Sequence, residues 1–184
     1  PQPEACFYLI KIYLPKKNPS ARPRRNPRDR ARRYPANTWF QADYAEALLA
    51  TRAYSAAESV LNRLEQRFSA ITGHDTRNIS SLESPLTSQL MMRVYHDLGR
   101  VYLAQQKETR HSIACFENSL KVAGFAGVQE HPLIPASHYY LGVCYDRAGM
   151  RAAALSAYQK AISLPENDAV KARAKACLES PCTQ

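Results

Sequence analysis

The chain has 184 residues, 45% of them hydrophobic and 22% charged, an ordinary globular composition that can fill one sizeable core. Lysine and arginine outnumber aspartate and glutamate by 25 to 16, a formal net charge of +9. No run approaches the roughly 18 apolar residues of a membrane span, which excludes that class. Residues 5–14 are broken by Lys11 and are followed by no small-residue cleavage site, so a secretory signal is not expected either. The chain begins on Pro1 and is expected to be a processed form or a fragment.

Residues 5–14 read as a strand or a short helix; periodicity does not decide between them. The charge is concentrated just after. Between residues 15 and 35 lie Lys16, Lys17, Arg22, Arg24, Arg25, Arg28, Arg30, Arg32 and Arg33, with Asp29 the one acid. Pro15, Pro19, Pro23, Pro27 and Pro35 interrupt the same stretch. Proline at this density blocks helix and central strand, and like charges repel, so residues 15–35 are expected to be extended, within a basic N-terminal extension over residues 1–36.

From Asn37 the apolar spacing turns helical. It predicts helices near 38–52, 54–69, 85–106, 109–124, 135–148, 150–164 and 167–179, with a tail at 180–184. Thr38 and Gln41 suggest a capping box, and Ser84-Pro85 a second start. Pro135 is expected to open a further helix, which Gly149 ends, and Pro165 ends the next. Residues 70–84, rich in Ser, Thr, Asn and Gly, read as a long loop. Period-two alternation is absent after residue 37, so the body, residues 37–179, is all-α.

Two stretches of this body echo each other. Leu98-Gly99-x-x-Tyr102 is followed by Ser112, Phe116 and Ser119, and Leu141-Gly142-x-x-Tyr145 by Ala154, Tyr158, Ala161 and Pro165. A weaker copy has Tyr44, Ala45 and Leu48, then Tyr54, Ala57, Leu61 and Leu64. The pattern resembles the tetratricopeptide repeat, a helix-turn-helix unit. The resemblance implies a right-handed superhelix of about three helix pairs, closed by a capping helix at 167–179. Gly or Ala at the crossing lets two helices approach, and the aromatic wedges between neighbours. Unit spacing exceeds the usual length, and His131-Pro132 precedes the third pair. In both respects the chain is similar to longer-repeat arrays of the kinesin light chain type and the polarity adaptor LGN.

In such an array the first helix of each pair lines the concave face. The resemblance thereby places Trp39, Glu46, Arg93, His96, Arg100, Tyr139, Asp146 and Arg147 in a partner-binding groove. Relatives that clamp a C-terminal carboxylate carry Lys, Asn and Arg where this chain has Ala42, Glu46, Asp97, Tyr139 and Val143, so that ligand is disfavoured. Asp43 with Glu46, and Glu117 near Lys121, read as exposed helix-face charges.

No His lies in a metal-binding motif, no Cys/His pair has zinc spacing, and neither a nucleophile elbow nor a phosphate-cradling loop is present. No catalytic residue, metal or cofactor is expected. Cys6, Cys115, Cys144, Cys177 and Cys182 are odd in number and lack a C-x-x-C pair, so they read as reduced cysteines of an intracellular protein of the cytoplasm or nucleus. The expected function is a non-enzymatic scaffold or adaptor that binds a protein segment in its groove, with the arm adding electrostatic attachment. The alternative is a subunit of a large complex whose arm contacts nucleic acid or an acidic partner.

Overall fold

The structure, a computed structural model, describes residues 26–72, 85–107, 109–128, 130–165 and 168–182. Outside them lie residues 5–14 with Cys6, the arm residues Lys16, Lys17, Arg22, Arg24 and Arg25, the Ser84 cap and most of the 70–84 loop. The described residues form α1 (Pro27–Arg33), α2 (Thr38–Ala50), α3 (Tyr54–Thr72), α4 (Pro85–Ala104), α5 (Thr109–Phe125), α6 (Leu133–Arg147), α7 (Arg151–Ser163) and α8 (Asp168–Glu179). Strands are absent among them.

The first helix corrects the reading of the arm as extended throughout. Pro27 occupies the first helical position, where its missing N–H costs nothing, and the Asn26 side chain accepts the Arg28 N–H at 3.1 Å. Ala31 is buried, and the Gln41 amide donates to its carbonyl at 2.9 Å. Arg30 lies over the Phe40 ring, 5.2 Å from its centroid. Docking on α2 thus gives this short helix the stability that seven residues lack alone. The same contact explains why no capping box forms on Thr38. Gln41 reaches α1 instead, and Asn37 caps α2 by accepting the Phe40 N–H at 3.1 Å. Likewise α6 starts at Leu133, ahead of Pro135, because proline is tolerated throughout a first turn. The His131 Nδ1 accepts the Leu133 N–H there, at 3.2 Å.

Three helix pairs follow one another: α2 with α3, α4 with α5, and α6 with α7, each packed on the next, with α8 closing the row. Their turns are superimposable in pattern. Seven residues after Ala45, Gly99 and Gly142 stand Arg52, Gln106 and Gly149, at φ of 59°, 53° and 72°. In each case this residue's N–H and the next close the helix end: Arg52 and Ala53 on Leu49 and Leu48, Gln106 and Lys107 on Leu103 and Tyr102, Gly149 and Met150 on Asp146 and Tyr145. That is a helix C-cap with one left-handed residue. The first pair, the weakest match by sequence, therefore turns in the same way as the other two.

Within each pair the crossing is tight. A Cβ on Gly99 would stand 2.7 Å from the Phe116 ring, and one on Gly142 would collide with the Tyr158 ring. In the first pair Ala45 stands at the corresponding position, and it and Leu61 of α3 are both fully buried in the same cluster. Phe116 also stacks on Tyr140 of the next pair, with centroids 5.5 Å apart and planes 8° off parallel. The core therefore runs on from pair to pair, as a stack whose units cannot bury their apolar faces alone. Ser112 and Ser119 occupy small-residue positions inside it, and Ser119 donates its hydroxyl to the Met92 carbonyl at 2.9 Å.

The cysteine reading needs correction at the C-terminus. After α8 the chain folds back through Pro181 and joins Cys177 to Cys182 in a disulfide, with Cα atoms 5.4 Å apart. Cys115 and Cys144 remain thiols, and burial pushes both up to about 12, far from a reactive thiolate.

Candidate functional site

Helices α2, α4 and α6 lie side by side, so one stripe of each contributes to a common face. On α2 the stripe is Trp39, Asp43 and Glu46, at the i, i+4, i+7 spacing that shares a face. On α4 it is Arg93, Asp97 and Arg100. These charges are matched across helices. Arg93 reaches Asp43 Oδ1 at 3.0 Å and Glu46 Oε2 at 2.6 Å, with its Nε 3.9 Å from Asp97. Arg100 bonds the other Asp97 oxygen at 3.0 Å, and Arg30 of α1 approaches Asp43 at 3.7 Å. Asp43 and Glu46 are thus more than solvated helix charges: they tie the first pair to the second. Glu117 also has a partner, the Tyr145 hydroxyl, which donates to it at 3.2 Å.

Asp97 is the buried centre of this lattice. Desolvation raises its pKa to about 6, against the pull of Arg100 and Arg93. With Arg93 held by three acids, an incoming carboxylate must compete for it. Of the expected groove residues, Trp39 (36% exposed) and Glu46 remain open to solvent, and Arg93, Arg100 and Tyr139 are partly so.

Two expected groove residues turn inward. His96 is 2% exposed, its Nδ1 hydrogen-bonded with the Ser137 hydroxyl at 2.8 Å. Its ring meets Phe116 and Tyr140 edge-on at 5.6 and 5.7 Å. It sits one turn before Gly99, on the side that meets α5. Asp146 is buried as well. Its Oδ2 accepts the Tyr158 hydroxyl at 2.9 Å and the Cys182 backbone N–H at 2.8 Å. Arg151 bonds both carboxylate oxygens and donates its other Nη to the Cys177 and Leu178 carbonyls, each at 2.9 Å. Asp146 is therefore the fastener of the C-terminal end. Arg147 is partly held too, donating to the Leu103 carbonyl at 3.0 Å. Sequence reasoning left Asp97 out of the groove set, although its position four after Arg93 was the available signal.

Burial also sets the acid response. Desolvation, then Arg100, lowers His96 from 6.5 to about 3, and desolvation, then Lys160, lowers His138 to about 4. From pH 6.5 downward the unfolded chain binds protons at these rings that the folded chain refuses, so stability falls with pH. Asp97 opposes this: between 3.8 and about 6 the folded chain keeps a proton that the unfolded one has released. Two imidazoles outweigh one carboxyl. The melting temperature should drop between pH 7 and pH 4.5, and His96→Gln should remove most of the drop, because Asp97 already offsets much of what His138 contributes. Melting followed by circular dichroism checks both; an equal drop in the variant would contradict the assignment.

Antiparallel pairs locked through small-residue crossings, and stacked in one direction, define an α-solenoid of repeated helix-turn-helix units. Residues 90–167, spanning most of α4 through α7, match the tetratricopeptide repeat family, and this stretch of the chain is built of tetratricopeptide repeats. No curated protein and no solved structure matches the chain. Repeats of this family generally act as non-catalytic modules for protein–protein contact. Among the described residues, no helix is long and apolar enough to cross a membrane.

Proposed function

We propose that the chain is an interaction scaffold that binds a segment of a protein partner along the face made by α2, α4 and α6, with the basic arm adding electrostatic attachment. The observation that carries this reading is the pairing of an exposed aromatic, Trp39, and a half-buried one, Tyr139, with an interlocked polar lattice on one face. Trp39 stands at the first pair and Tyr139 at the third, and the Asp43–Arg93–Asp97–Arg100 lattice lies between. Such a face offers apolar burial at its ends and hydrogen bonding at its middle, which suits a mixed-character peptide. Because the lattice is neutral overall, affinity there comes from the aromatics more than from charge.

The test removes both aromatics. Trp39→Ala/Tyr139→Ala should bind proteins retained by the wild type about 100-fold more weakly, while its circular dichroism stays helical. Titration of any such partner against both proteins gives the result. Equal affinities would remove this face from the account.

A further inference from the structure

A second surface lies on the other side of the first helix pair. Pro35, Gln41, Val60, Arg63, Leu64 and Arg67 line a cleft of about 410 Å³, its open mouth included. Val60 and Leu64 give it an apolar floor. Arg63 and Arg67, one turn apart on α3 and both exposed, form its rim. Among the described residues no carboxylate pairs with either arginine. The two acids of α3 are engaged elsewhere: Glu58 takes Lys107 at 2.7 Å and Gln105 at 3.1 Å, and Glu65 takes the Ser69 hydroxyl at 3.2 Å. Pro35 brings the end of α1 to the same place, and with it exposed Arg32 and Arg33.

We propose that this cleft docks an acidic peptide segment, seating one apolar side chain on Val60 and Leu64 while flanking carboxylates take Arg63 and Arg67. Paired guanidiniums match carboxylates in fork geometry, and the pocketed apolar floor has no use for a sugar-phosphate backbone. Base stacking is poorly served as well, since the Tyr34 ring already packs against Phe40 at 5.7 Å and carries the Arg33 guanidinium at 5.9 Å. This surface is independent of the α2–α4–α6 face.

The experiment is fluorescence anisotropy on the full chain, with a labelled peptide of glutamates interrupted by two leucines. Arg63→Glu/Arg67→Glu should weaken binding about tenfold or more, and Arg63→Gln/Arg67→Gln somewhat less. Arg110→Glu/Lys175→Glu, an equal charge change on exposed residues elsewhere, should cost about twofold or less. Replacing the leucines of the peptide by glycine should cost about fivefold. Trp39→Ala/Tyr139→Ala should leave the affinity unchanged. The proposal is overturned if the distant charge reversal weakens binding as much, or if leucine-to-glycine replacement has no effect. It is overturned equally if the aromatic variant loses the peptide, or if labelled oligouridine binds more tightly than the peptide through the same two arginines.

Discussion

Asp146→Ala should lower the free energy of unfolding by about 3 kcal/mol and loosen the C-terminal fold-back. The carboxylate has no exposed surface and joins three elements. It takes the hydroxyl of Tyr158 on α7, one Nη of Arg151 across both of its oxygens, and the N–H of Cys182 beyond α8. Truncation leaves all three donors without their acceptor, and a charge without its counter-ion. That asymmetry, more than the worth of the pair itself, sets the size of the loss. Arg151 is about a third exposed, which lets water recover part of it and holds the estimate at the lower end. Asp146→Asn keeps an acceptor but no charge and should fall between the variant and the wild type. Urea unfolding followed by circular dichroism measures all three proteins. A loss below about 1 kcal/mol for the alanine variant would show that the fastener contributes little.

The second large effect is expected at the helix crossings. Gly142→Val should cost about 3 kcal/mol, because its side chain enters the volume of the Tyr158 ring. The ring cannot swing aside: it is fully buried, and its hydroxyl is fixed on Asp146. Gly99→Val meets Phe116 in the same way, with the ring clamped between His96 and Tyr140. Chemical denaturation checks both, and wild-type stability in either would contradict the close approach.

Much of this architecture could be read from the chain because its punctuation is local. Pro85, Gly149 and Pro165 bound helices through backbone chemistry alone, and Gly99 and Gly142 announce close crossings through the aromatics that follow them. What escaped depends on distant partners. The helix at Pro27–Arg33 exists because α2 offers Phe40 and Gln41 as a dock, while proline density within the segment suggested the opposite. Helical register placed His96 and Asp146 on the concave face. Each sits at the edge of its stripe, however, and which way it turns depends on what the next helix supplies. Ser137 and two rings draw His96 in; Arg151, Tyr158 and a backbone N–H draw in Asp146. The Cys177–Cys182 bridge depends on the same fold-back, which a spacing of five residues does not reveal. Of the face itself, Trp39 and Tyr139 were legible as aromatics on α2 and α6. The matching of Arg93 by Asp43 and Glu46 was not, because it joins residues about fifty apart in sequence.

The repeat packing is tested most directly by two alanine variants melted side by side. Gly142→Ala places a methyl against Tyr158, whereas Gly124→Ala, in a helix with nothing within 4 Å, adds one in open space. Alanine favours a helix over glycine by up to about 1 kcal/mol, so Gly124→Ala should melt at or slightly above the wild-type temperature. Gly142→Ala should melt several degrees below it, the overpacking exceeding the same gain. If Gly142→Ala instead melts with or above Gly124→Ala, the helices do not cross at Gly142, and the stacked-pair architecture is contradicted.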